Sequence, residues 1–146
     1  MKNYHRLAFL VSFLLFSLVG CGSNVTTVGT VTFPDGTPLT EGQILFQNDQ
    51  HEFLSLIGAN GTYSMWGVRQ GDGVPPGTYS VFFRFPNYVY LDEIPIDPKF
   101  VGAESSGLTA EVVRGRRNRF DFTVTENLLE PGSMPRFTPS TPPRER

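Results

Sequence analysis

Residues 28 to 38 read VGTVTFPDGTP, and how they are read decides the fold. The first six alternate, so that Gly29, Val31 and Phe33 fall on one face of an extended strand and Val28, Thr30 and Thr32 on the other. Pro34 then fixes φ and Gly36 tolerates a positive φ, which makes PDGTP a turn with a mechanism. Beyond it, Leu39 is expected to tuck back under the sheet. QILFQ (43–47) supplies a second strand with Ile44 and Phe46 on one side.

The same grammar continues outward. FLSLI (53–57) and TYSMW (62–66) flank ANG, and Asn-Gly between two alternating runs is the strongest short hairpin signal, so the two strands are expected to be antiparallel neighbours. TYSVFFRF (78–85) places Tyr79, Val81, Phe83 and Phe85 on one face. The tetrapeptide GTYS occurs twice, at 61–64 and 77–80, and reads as a recurrent turn-to-strand step with its tyrosine facing inward. Residues 86–107 carry Pro86, Pro95 and Pro98 among several acids and read as a long irregular connection. LTAEVV (108–113) and NRFDFTV (118–124) close the domain as two strands across the turn RGRRN, with Phe120, Phe122 and Val124 facing one way. No long run shows the i, i+3, i+4 spacing of an amphipathic helix. The expectation is an all-β, about seven-stranded antiparallel β-sandwich over 28–126, followed by a disordered, Pro- and Arg-rich tail over 127–146.

The chain opens MKNYHR and then runs LAFLVSFLLFSLV (7–19) without a charge. A basic start, an apolar run and a small residue are the layout of a secretory signal peptide, expected over 1–20. As a helix the apolar run would span only about 20 Å, short of a hydrocarbon core of about 30 Å. The one cysteine of the 146 residues, Cys21, follows directly, so no intrachain disulfide can form and the domain must fold on its core. The 13 phenylalanines and 5 tyrosines provide for that core. Without Lys2 and Arg6, the 12 Lys and Arg fall to 10 against 14 Asp and Glu, a balance of −4 that argues against nucleic acid as a partner.

LVGC (18–21) resembles a bacterial lipobox. That resemblance implies a diacylglycerol on the Cys21 sulfur, removal of 1–20 and acylation of the new amino terminus, with 21–27 a short tether. VGTVTFPDGTPLTEGQILFQ, NGTYSMWGV, VPPGTYSVFF and FDFTV together resemble the transthyretin-like (prealbumin-like), carboxypeptidase-regulatory-like sandwich. IPIDPKF, SSGLTAEV and NRFDFTV are similar to the closing part of small lipoproteins of this fold found in planctomycete-type bacteria, with Phe100 where tyrosine is usual and Ser105 where threonine is usual. The resemblance implies fold and anchoring, with no established activity.

Candidate chemistry is sparse. Transthyretin-like hydrolases depend on several histidines and end in Tyr-Arg-Gly-Ser; this chain keeps His51 beyond residue 20 and ends PPRER. Zinc wants three or four ligands, and no G-x-S-x-G elbow or phosphate loop is present. The protein is therefore expected not to be an enzyme and to carry no cofactor. Asp92, Glu93, Asp97 and Glu104 in the long connection either converge on calcium, which takes six to eight oxygens, or are a solvated loop. Arg114, Arg116, Arg117 and Arg119 crowd one turn and either contact phosphate or carboxylate of envelope lipid or polysaccharide, or keep a hairpin soluble, balanced in part by Glu111 and Asp121. Tyr88 and Tyr90 suit carbohydrate or protein contacts, or cap the end of the sandwich. The functional expectation is a lipid-anchored cell-envelope protein, in the cell or outer membrane and facing the periplasm or exterior. Its non-catalytic sandwich would act as an interaction or structural module, with an envelope protein or polysaccharide as partner. The alternative is a small-ligand, carbohydrate or calcium-binding lipoprotein that uses 86–107.

Overall fold

A computed structural model describes residues 25–65 and 73–133. The signal peptide, Cys21, most of the 21–27 tether, Trp66 and the tail from 134 onward lie outside the described residues. Eight short strands form two sheets packed face to face: β1 (Thr27–Thr32), β2 (Gln43–Gln47), β3 (Glu52–Leu56), β4 (Thr62–Met65), β5 (Gly77–Arg84), β6 (Leu108–Val112), β7 (Asn118–Arg119) and β8 (Phe122–Thr123). One sheet runs β3-β2-β5-β6, all antiparallel. The other runs β4-β1-β7, with β8 also on β1. The protein is an all-β sandwich, as the alternation of its strands required.

The inner faces are those the sequence implied. Val31, Ile44, Phe46, Tyr79, Val81, Phe83 and Phe122 are buried in one cluster, and Leu39 is tucked beneath β1 with its N–H on the Val31 carbonyl at 3.0 Å. Phe46 is the hub, its ring 6.1 Å from Tyr63 and 6.2 Å from Tyr79. The two GTYS segments thus deliver equivalent tyrosines from opposite sheets. Each hydroxyl donates to a backbone carbonyl at 2.8 Å, Tyr63 to Phe120 and Tyr79 to Pro75, as a buried phenol requires.

Leu45 and Phe82 are buried as well, although they face away from the core. The register puts Leu45 on the diagonal between Arg84 and Glu52, whose side chains meet at 3.8 Å, so their stems cover it.

Three expectations change. Strands β3 and β4 are not hairpin neighbours: β3 pairs with β2, and β4 with β1 in the other sheet. A type I′ hairpin needs positive φ at both central residues, yet no described non-glycine residue has one. Asn60 instead turns its side chain inward on the loop, its Oδ1 accepting from the Thr62 hydroxyl at 2.7 Å, while the Gly58 N–H reaches the Thr62 carbonyl. The chain crosses between sheets, and Ser55 bridges them, its hydroxyl donating to the Ser64 carbonyl at 2.9 Å.

Likewise RGRRN does not close a hairpin, because β6 pairs with β5 and β7 with β1. Its turn is held by Asn118, which accepts from the Val113 N–H at 3.0 Å and donates to the carbonyls of Val113 and Arg116.

NRFDFTV is not one strand. It pairs parallel with β1 in two pieces, and the chain is broken at Phe120 and Asp121. In an unbroken parallel ladder the Phe120 carbonyl would take the Thr30 N–H. Here the Asp121 carboxylate takes it at 2.8 Å, with the Thr30 hydroxyl at 2.7 Å. The displaced Phe120 carbonyl turns inward to Tyr63 and fills the space beside Gly29, where a Cβ would stand 1.7 Å from it.

Candidate interaction surfaces at the two ends

The hydrogen bonds sort the loops into two ends. At one end the chain enters through Val25, paired with Val74. The Arg turn joins it there, the Asn118 N–H donating to the Thr26 carbonyl at 3.0 Å. Arg114, Arg116 and Arg117 are exposed, and among the described residues no ion pair holds them. Arg119 is different: its Nε donates to Asp121 at 2.9 Å. The four arginines of the sequence expectation therefore divide into three at the turn and one bound on β7. Burial pushes Asp121 up, but hydrogen bonds from Arg119 and Thr30 outweigh it and hold the carboxyl below its ordinary value. His51, in the β2–β3 turn, stacks on Phe53 at 5.7 Å, and its carbonyl accepts from the Asn48 N–H.

At the other end lie the 86–107 connection and residues 127–133. This connection is irregular as expected, apart from one 3-10 turn (Pro98–Val101) that buries Phe100. It is fastened to residues 125–132: the Asp97 N–H bonds the Thr125 carbonyl, Asn127 Nδ2 donates to the carbonyls of Leu91 and Ile94, and the Gly132 N–H donates to Asp92 Oδ2.

The four candidate carboxylates are not assembled there. Asp92 is buried under Gly132, Asp97 caps the 3-10 turn through the Lys99 N–H at 2.9 Å, and Glu93 and Glu104 are exposed. Among the described residues no group of three or more His, Cys, Asp or Glu side chains is placed to hold a metal ion.

What this end does present is apolar. Val89 and Leu128 are 82% and 90% exposed, with Leu91 and Leu129 also exposed. Val89 and Leu91 line a groove of about 260 Å³ with Phe82, Arg84, Tyr88 and Tyr90, and Leu128 and Leu129 follow Asn127, which is bonded to the Leu91 carbonyl. The Tyr88 hydroxyl donates to Glu41 at 2.7 Å, and that bond with some burial holds the phenol above its ordinary value. Tyr88 thus caps the sandwich at Phe85, ring to ring at 6.1 Å, while Tyr90 stays half-buried at the groove. Composition signalled the tyrosines. Leucines 128 and 129 carried no signal, because only the folded contacts bring 127–133 beside residue 91.

No family model matches the chain, and no curated protein matches it. Among solved structures, it is similar to a DUF3823 family protein from Bacteroides ovatus, with 18% identity and a TM-score of 0.42 over 70% of this chain and 45% of that one. It is also similar to BcpA, the major pilin subunit of Bacillus cereus, with 13% identity and a TM-score of 0.43 over 72% of this chain and 30% of that one. This chain spans less than half the length of either.

Proposed function

We propose that the protein is a lipid-anchored envelope protein, held at a membrane by acyl groups on Cys21, whose β-sandwich is a non-catalytic interaction module of transthyretin-like type. One observation carries this reading: the exposed aliphatic residues Val89, Leu91 and Leu128 gather at the end of the sandwich opposite the one where the chain comes in from Cys21. A domain tethered at Val25 presents that far end outward, where a partner protein or polysaccharide would meet it. Two or three acyl chains hold a protein stably, whereas one gives marginal binding.

The test is Cys21→Ser. Lipid transfer and removal of 1–20 should stop; unchanged processing and membrane retention would overturn the anchor. For the module, the combined variant Val89→Ser, Leu91→Ser and Leu128→Ser should abolish co-purification of any partner that the unaltered protein retains.

A second reading is favoured by the groove at Tyr88 and Tyr90, whose aromatic lining suits a sugar ring. Calorimetric titration with calcium and a sugar panel separates the two. Heat from either supports a ligand-binding lipoprotein using 86–107, and silence leaves the interaction module.

A further inference from the structure

The geometry points to Arg114, Arg116 and Arg117 as a docking surface for anionic phospholipid headgroups, which fixes how the domain stands on its membrane. The inference rests on reading Cys21 as the lipid anchor and adds to it a lipid class and an orientation.

The three arginines occupy the tight turn after β6. Asn118 braces this turn with three side-chain hydrogen bonds and Gly115 bends it at φ +80°. They are therefore displayed on a rigid support. The turn lies at the chain's incoming end, bonded to Thr26 and paired through Asn118 with Thr27. Only residues 22–24 separate Cys21 from Val25, a reach of at most about 14 Å. A lipid on Cys21 thus holds this end within roughly a Debye length or two of the headgroups, about 8 Å at physiological salt.

Charge is divided between the ends accordingly. On the half of the sandwich that carries the turn, the described carboxylates are Asp49 in the β2–β3 loop, Glu111 on β6, Glu52 at the start of β3, paired with Arg84, and Asp121, paired with Arg119. The far end carries Asp35, Glu41, Glu93, Asp97, Glu126 and Glu130, and its cations Lys99 and Arg84 are already in ion pairs. An anionic bilayer attracts the first end and repels the second. Each basic residue near such a surface is worth about 1 kcal/mol, so each of the three arginines biases the docked orientation by about fivefold.

The test uses the lipidated full-length protein, purified from its membrane and reconstituted into vesicles. Acylation removes the thiol of Cys21, so Gln50→Cys at the arginine end or Ser133→Cys at the far end can be labelled alone. Energy transfer to a headgroup acceptor is then read in phosphatidylcholine vesicles with and without phosphatidylglycerol. Phosphatidylglycerol should raise transfer from position 50 over position 133. Replacing the three arginines with glutamine, or raising salt to about 1 M where the Debye length is about 3 Å, should erase that gain. A lipidated protein whose transfer is the same in both vesicles overturns the arginine docking alone. Intact mass showing an unmodified Cys21, with no vesicle binding, overturns the anchor and the docking together.

Discussion

In the sheet β3-β2-β5-β6, three antiparallel ladders each run five residue pairs without interruption. In the opposite sheet β1 meets β7 and β8, two parallel pieces of two pairs each on either side of Phe120 and Asp121. The first sheet is specified by its backbone. The second is completed by side chains: Asp121 takes the Thr30 N–H that a carbonyl would have taken, Tyr63 takes the displaced Phe120 carbonyl, and Asn118 closes the turn before it. Single side chains should accordingly matter far more in the broken sheet than at the solvent face of the regular one.

The sharpest way to break that comparison is Gly29→Ala. A Cβ there would meet the Phe120 carbonyl and the Tyr63 hydroxyl at once, so β7–β8 must leave β1. Chemical denaturation should show a loss above about 4 kcal/mol, or no folded protein. Asn118→Ala comes next. It strands the Val113 N–H and carbonyl and should cost about 2–3 kcal/mol by the same measurement. Tyr63→Phe leaves the Phe120 carbonyl unpaired in the core and should cost about 1–2 kcal/mol.

Asp121→Asn should cost less, and its signature is in the pH dependence. The folded carboxyl sits below its ordinary value, so its contribution is present above the unfolded pKa of about 3.9 and is lost as pH falls through the folded value. Denaturation midpoints of the unaltered protein should therefore fall more steeply below about pH 4 than those of the variant. At the small end, Glu52→Gln on the regular sheet removes an exposed ion pair and should change stability by less than about 1 kcal/mol. A larger loss there than at Asn118 would refute the contrast between the sheets.

Much of the regular sheet was legible in the sequence. In QILFQ and TYSVFFRF the core-facing residues, Ile44 and Phe46 in one and Tyr79, Val81, Phe83 and Phe85 in the other, are those counted off at period two. The broken sheet was not, because Phe120 and Asp121 look like ordinary strand residues until Thr30 and Tyr63 arrive from elsewhere in the chain. The candidate surfaces divide in the same way. The arginine cluster and the tyrosines stand out in composition, whereas the dispersal of Asp92 and Asp97 into separate structural roles, with Glu93 and Glu104 left exposed, follows from contacts with residues such as Gly132.

By itself the sequence determined the all-β class, the turns and the inner residues, since these depend on local backbone freedom and on alternation along one strand. Only the tertiary structure decided that β3 and β4 part company across Asn60-Gly61, that the last strand runs parallel to β1 in two pieces, and that bare arginines and bare aliphatics occupy opposite ends. Those outcomes depend on which distant strand satisfies each outward-facing N–H and C=O, and no period within a single segment encodes that choice.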